Sequence, residues 1–238
     1  MSARTAIGRN GSIGLGVWYG LVVVFLFAPI LTSMVYSFNL GSLGKQTSTF
    51  TGWTVQWLGE AWNNASLRRA VQVSLVASFW SAILAVVLGT CLGIALVRHP
   101  SATVRRLLSG LTYILLIVPE TVIGVSLLLF YSVTRVRLGM PTLVAGITPL
   151  AIAVTALIVR AGVLTLDRQL EDAAADLGAN RWQALRFVIL PHLMPAVLAG
   201  ALMSYVFSFD NLVISSFLTT PSISTLPVRK IPKSPPML

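Results

Sequence analysis

The chain has 238 residues, 55% of them hydrophobic and only 10% charged, with a mean hydropathy of +0.83. Soluble domains carry about 25% charged residues, so an ordinary soluble fold is excluded. The net charge of +10 comes from basic residues scattered among apolar stretches rather than gathered in a stripe, which favours contact with anionic headgroups over nucleic acid.

In hydrocarbon only helices and closed barrels satisfy every backbone polar group, and the apolar runs lack the alternation of barrel strands. An all-α membrane protein is expected. Arg4 and Arg9 precede an apolar stretch at 13–36, too long for the roughly 7–15 residues of a signal h-region, and it is read as a retained first helix. The polar segment that follows holds Trp53, Trp57 and Trp62, read as interfacial anchors or loop packing, with contact to a substrate-delivery protein as the alternative. Within it, residues 41–46 superficially suggest a phosphate loop. Asn39 and Gln46 stand where that motif needs glycine and serine or threonine, so any energy source must be another chain.

Four further runs, at 70–97, 107–134, 142–166 and 187–219, each meet the requirement of about 20 residues for a span, giving five predicted spans. Cys91 is the one cysteine and is read as a small packing residue, incapable of an internal disulfide. His99 and His192 are isolated at span ends, so no metal site is assigned. With the amino terminus inside, Arg98, Arg105, Arg106, Arg168, Arg181 and Arg186 fall on the cytoplasmic side, opposite Lys45, Arg68, Arg69, Arg135 and Arg137. The positive-inside rule favours this orientation once the proline-rich tail, 229–238, is set aside.

The segment 167–186 is both charged and helix-patterned. Leu170, Ala174 and Leu177 fall at i, i+4 and i+7, a narrow apolar stripe on a short helix whose other side carries Glu171, Asp172 and Asp176. Ala173, Ala174 and Ala175 let another surface approach closely. Gly178 suits a left-handed helix end, and Asn180 with Gln183 three residues on resembles a capping box that opens a second helix. The pattern predicts helix, tight turn and a further helix entering the membrane at Leu190 and Pro191, a knuckle suited to a groove in a soluble partner.

This stretch resembles the EAA loop of ABC importer permeases: Glu-Ala-Ala, three residues, Gly, nine residues, Ile, one residue, Leu-Pro. Ala173, Ala174, Gly178, Leu190 and Pro191 match at the required spacing, while Asp172 replaces the glutamate and Val188 the isoleucine. Val118 to Leu128, Phe207 to Ser215 and Thr225 to Val228 are similar to the second permease of spermidine/putrescine importers. The resemblance implies a type I importer transmembrane domain over 1–228. In it Glu171, Asp172, Ala173, Ala174, Gly178, Leu190 and Pro191 couple to an ATPase subunit. It further implies a second permease, two ATPase subunits that bind ATP and magnesium, and an extracytoplasmic substrate-binding protein, with no cofactor on this chain. The family would add a final helix after Val228, so a truncated or altered carboxyl end is expected.

Of the seven acidic residues, Glu120 and Asp210 lie well inside apolar runs. A charge at the bilayer centre costs about 2.5–3.5 kcal/mol on insertion scales, so such groups face a cavity or a partner. Glu120 lies near the middle of its run and follows Pro119, whose missing N–H frees a carbonyl and can kink the helix, and Asp210 lies roughly 10 Å toward the outer end of the last run at about 1.5 Å per residue. Both are candidates to line the path of an amine cation, with Phe209, better placed than Tyr205, adding cation–π attraction. Alternatively Glu120 pairs with the intramembrane Arg160. No serine–histidine–acid set or paired catalytic carboxylates stand out, and the chain reads as a non-catalytic subunit. Permeases for another organic cation, a metal complex or an anion, and a non-transport membrane subunit, are the rival classes.

Overall fold

A computed structural model describes residues 9–41, 49–167, 169–220 and 225–228. Most of the 41–46 segment, Arg168 and the 229–238 tail lie outside the described residues. The described residues divide into two compact units, one within 9–65 and one within 66–228.

In the first unit, α1 (Arg9–Tyr36) is apolar on all sides, as a lipid-facing helix should be, and its described side chains are almost all exposed. Beyond it a short loop is held by Asn39, which is fully buried. Its Oδ1 accepts from the Thr51 N–H at 2.8 Å and its carbonyl accepts from the Trp57 indole at 2.8 Å. Trp57 therefore packs the loop, whereas Trp53 and Trp62 stay exposed, Trp62 on the amphipathic helix α2 (Gln56–Asn63).

The second unit is built on α3 (Ala65–Arg98), α6 (Met140–Thr165) and the continuous stretch Arg181–Phe209, each long and apolar enough to cross a membrane. Lipid removes the hydrophobic drive between spans, so close backbone approach must hold them. Along α3 the buried residues are almost all small, including Ala70, Ser74, Ala77, Ser78, Ser81, Ala85, Gly89 and Gly93, while Phe79, Trp80, Ile83 and Leu84 face outward. A Cβ on Gly89 would lie 2.7 Å from Thr155 Cβ, and one on Gly93 would lie 2.8 Å from the Ala156 carbonyl. Ser81 Oγ accepts from both Thr148 at 3.3 Å and Ser208 at 3.1 Å, joining three helices by one hydroxyl. Cys91 lies on the exposed side of α3, not in the packing where the sequence reading placed it.

Two predicted spans are not single helices. The run at 107–134 divides into α4 (Ala102–Ile117) and α5 (Glu120–Val133), bent by 95°. Pro119 supplies the cause, since it lacks an N–H and forces its predecessor out of the helical region, and Val118 is extended at φ −62°, ψ 128°. The run at 187–219 breaks at Asp210, where α9 (Leu190–Phe209) ends before the short α10 (Val213–Leu218). The Asn211 side chain accepts from the Ile214 N–H at 3.1 Å and so opens α10. Among the described residues four helices thus suffice individually to cross a membrane, and the bent pair makes a fifth if counted as one span.

Candidate functional site

The segment after α6 folds as its spacing predicts. In α7 (Gln169–Asp176) the helix ends at Gly178, at φ +81°, where the Gly178 N–H reaches the Ala175 carbonyl at 2.9 Å and the Ala179 N–H reaches the Ala174 carbonyl at 3.0 Å. This double closure satisfies orphan carbonyls with a left-handed residue, and glycine adopts it without Cβ strain. The capping box then forms reciprocally: the Gln183 N–H donates to Asn180 Oδ1 at 2.9 Å, and the Asn180 N–H donates to Gln183 Oε1 at 2.8 Å. It opens α8 (Arg181–Ala184).

The expected apolar stripe is only partly realised. Ala174 is buried beneath α7, but Leu177 stands 89% exposed. It falls beyond the last helical residue, so the turn swings it off the stripe to the tip. Asp172, Ala173, Ala175 and Asp176 are exposed beside it, a small-residue surface edged by carboxylates.

Leu190 and Pro191 complete the element in a way the spacing alone does not reveal. In an α-helix residue 191 would donate to the Phe187 carbonyl. Proline has no such donor and its ring crowds that oxygen. The chain answers with a π-helical turn over Leu185–Ile189, in which the Leu190 N–H reaches the Leu185 carbonyl, five residues back. His192 Nδ1, acting as donor, lies 2.6 Å from the Val188 carbonyl. A widened turn therefore separates the knuckle from α9.

Away from the knuckle, Glu120 and Asp210 line one cleft of about 330 Å³ together with Met203, Val206, Phe207, Asn211, Leu212 and Val213. Both carboxylates stand at helix breaks, Glu120 in the first turn of α5 and Asp210 at the end of α9. The aromatic ring in the lining is Phe207; Phe209, favoured in the sequence reading, is absent from it. Arg160 does not meet Glu120: its guanidinium donates to the Tyr113 hydroxyl at 2.7 Å. Glu120 instead accepts from Asn211 Nδ2 at 3.4 Å. Asn211, 5% exposed, was missed as a site residue. The available signal was a buried-type amide inside an apolar run beside Asp210, which needs a partner for both ends of its side chain.

Residues 85–231 match the family model of binding-protein-dependent transport system inner membrane components, a stretch that holds both the knuckle and the cleft. The chain belongs to this family. It is thus a transport permease and a multi-pass protein of the cytoplasmic membrane, a subunit of a system that includes a binding protein. Among its relatives, the spermidine/putrescine transport system permease protein PotC of Escherichia coli (strain K12) is 32% identical, covering 92% of this chain and 81% of the relative. The putrescine transport system permease protein PotI of the same organism is 32% identical, over 86% of this chain and 74% of the relative. PotC of Haemophilus influenzae is 31% identical, over 88% and 80%.

Proposed function

We propose that this permease carries polyamines, spermidine or putrescine, into the cell, driven by ATP that partner subunits hydrolyse. The cargo reading rests on the cleft that holds Glu120 and Asp210 together, supported by the polyamine systems of the relatives above. A protonated amine entering this cleft would meet two carboxylates and the face of Phe207, replacing its hydration by charge-assisted hydrogen bonds and cation–π attraction. Phe209, one residue from Asp210, stays a candidate for a second aromatic contact along the route.

The drive is assigned to the knuckle. Glu171, Asp172, Ala173, Ala174, Gly178, Leu190 and Pro191 form the handle by which an ATPase subunit moves the helices. Closure of two ATP- and magnesium-loaded ATPase subunits pulls α7, and the spans exchange an outward for an inward opening. A second permease completes the pathway, and an extracytoplasmic binding protein delivers cargo. No ATP site is assigned to this chain.

The test is uptake of radiolabelled putrescine and spermidine into vesicles bearing the assembled system. Polyamine uptake with KM raised roughly tenfold or more in Glu120→Gln and in Asp210→Asn, with ATPase subunits still bound, supports the reading. Uptake undiminished in both variants defeats the role of the two carboxylates, and a native system that takes up neither amine defeats the cargo assignment and leaves a permease for another organic cation, a metal complex or an anion.

A further inference from the structure

One charged residue beside the knuckle lies outside the 172–191 stretch that carries the loop pattern. Arg98 ends α3, and its guanidinium is 14% exposed. At roughly 1.5 Å per residue, a 34-residue helix is about 51 Å long, well beyond the roughly 30 Å hydrocarbon core, so its end projects past the apolar layer. There Arg98 Nη2 lies 2.9 Å from Glu171 Oε1 in the first turn of α7. The same nitrogen lies 3.3 Å from the carbonyl of Leu166, the residue that caps α6.

One guanidinium therefore joins three elements: α3, whose chain carries it, the end of α6, and α7. The Glu171 contact is close but off the hydrogen-bonding angle, a charge attraction rather than an aligned bond. Such a contact persists while the partners slide, whereas a strictly angular bond would break. Glu171 is 32% exposed at its side chain, so the pair is only partly screened by water. Between α6 and α7 the covalent link is short and includes the extended Leu166, which alone would let α7 swing without dragging the spans.

We infer that Arg98 is a positioning residue that transmits displacement of α7 to α3 and α6 through its contacts with Glu171 and the Leu166 carbonyl. This role rests on the coupling function proposed above for α7. Load then reaches the bundle through a side-chain joint, in parallel with the continuous chain through the π turn into α9.

Cys91 provides a readout that needs no cargo, because it is exposed on α3, two helical turns before Arg98, and is the chain's one cysteine. An environment-sensitive thiol dye is attached to Cys91 in the complete complex with cysteine-free partner subunits, and its emission is followed on addition of ATP. In the native complex ATP shifts the emission. In Arg98→Ala the ATPase subunits remain bound and hydrolyse ATP, but the Cys91 response falls by roughly tenfold, the scale of a typical coupling between sites. The charge exchange Arg98→Glu with Glu171→Arg restores most of the response, which a merely structural role for either residue would not do. Glu171→Gln, which keeps side-chain shape, serves where Arg98→Ala fails to assemble and loses the response likewise. A native-size response in Arg98→Ala or Glu171→Gln overturns the inference, as does an exchange variant no better than the single changes. ATPase subunits that fail to bind the native chain overturn the coupling role of α7 itself, a separate result.

Discussion

Asp210 and Asn211 illustrate how adjacent side chains divide a task. Asn211 spends its oxygen on the Ile214 N–H and its amide on Glu120, so it fixes both the start of α10 and the carboxylate opposite. Asp210 keeps its carboxylate for the cleft. Asn211→Leu should therefore disturb uptake as strongly as loss of a carboxylate, by leaving Glu120 without its amide and α10 without its cap. Hydrogen bonds to charged groups contribute about 1.5–3 kcal/mol, so Glu120→Gln should raise the KM for putrescine roughly tenfold or more, measured by vesicle uptake. Gly178 is a second sensitive position. A Cβ added there would have no neighbour within 4 Å, so Gly178→Ala meets no clash and only the strain of φ +81°. That strain is about 1–2 kcal/mol, to be seen as faster amide exchange across residues 177–183 in detergent.

At the scale of elements, the knuckle was the most legible part of the sequence because each of its steps depends on neighbours in the chain. Helix end, left-handed glycine and capping box are local chemistry, and Asn180 and Gln183 meet as their spacing requires. The breaks were harder to read. Hydropathy reports only whether a segment tolerates lipid, and both halves of 107–134 do, so the run looked continuous although Pro119 marked the bend. Likewise the identity of the ring in the cleft depended on where α9 stops. With the helix ending at Phe209, Phe207 and not Phe209 lines the cleft with Asn211 and Leu212. The Arg98 joint was invisible for another reason: its partners are 68 and 73 positions away in the chain, and no local pattern links them. The packing of α3 on α6 yields its own expectation. Gly93→Leu would drive a side chain into the Ala156 carbonyl and Val159, and overpacking typically costs about 1–3 kcal/mol. A lower midpoint of thermal unfolding in detergent should result, while Gly110→Leu, in open space on α4, should leave the midpoint unchanged.

For the whole molecule, the decisive geometry is the side of the membrane on which the α7 tip emerges. A single reporter cysteine at the tip, Leu177→Cys in a Cys91→Ser background, should react with a membrane-impermeant maleimide in inside-out vesicles and not in intact cells. Adding ATPase subunits should then protect it. Labelling from the outside would reverse the proposed orientation. Open labelling in the assembled complex would separate the tip from its proposed seat.

The exposure of Leu177 also bears on how the subunit docks. A leucine at the crown of the turn stands bare in the subunit alone, and a neighbour docked on α7 would cover it. On the coupling role proposed above, docking would draw part of its gain from removing this one side chain from water.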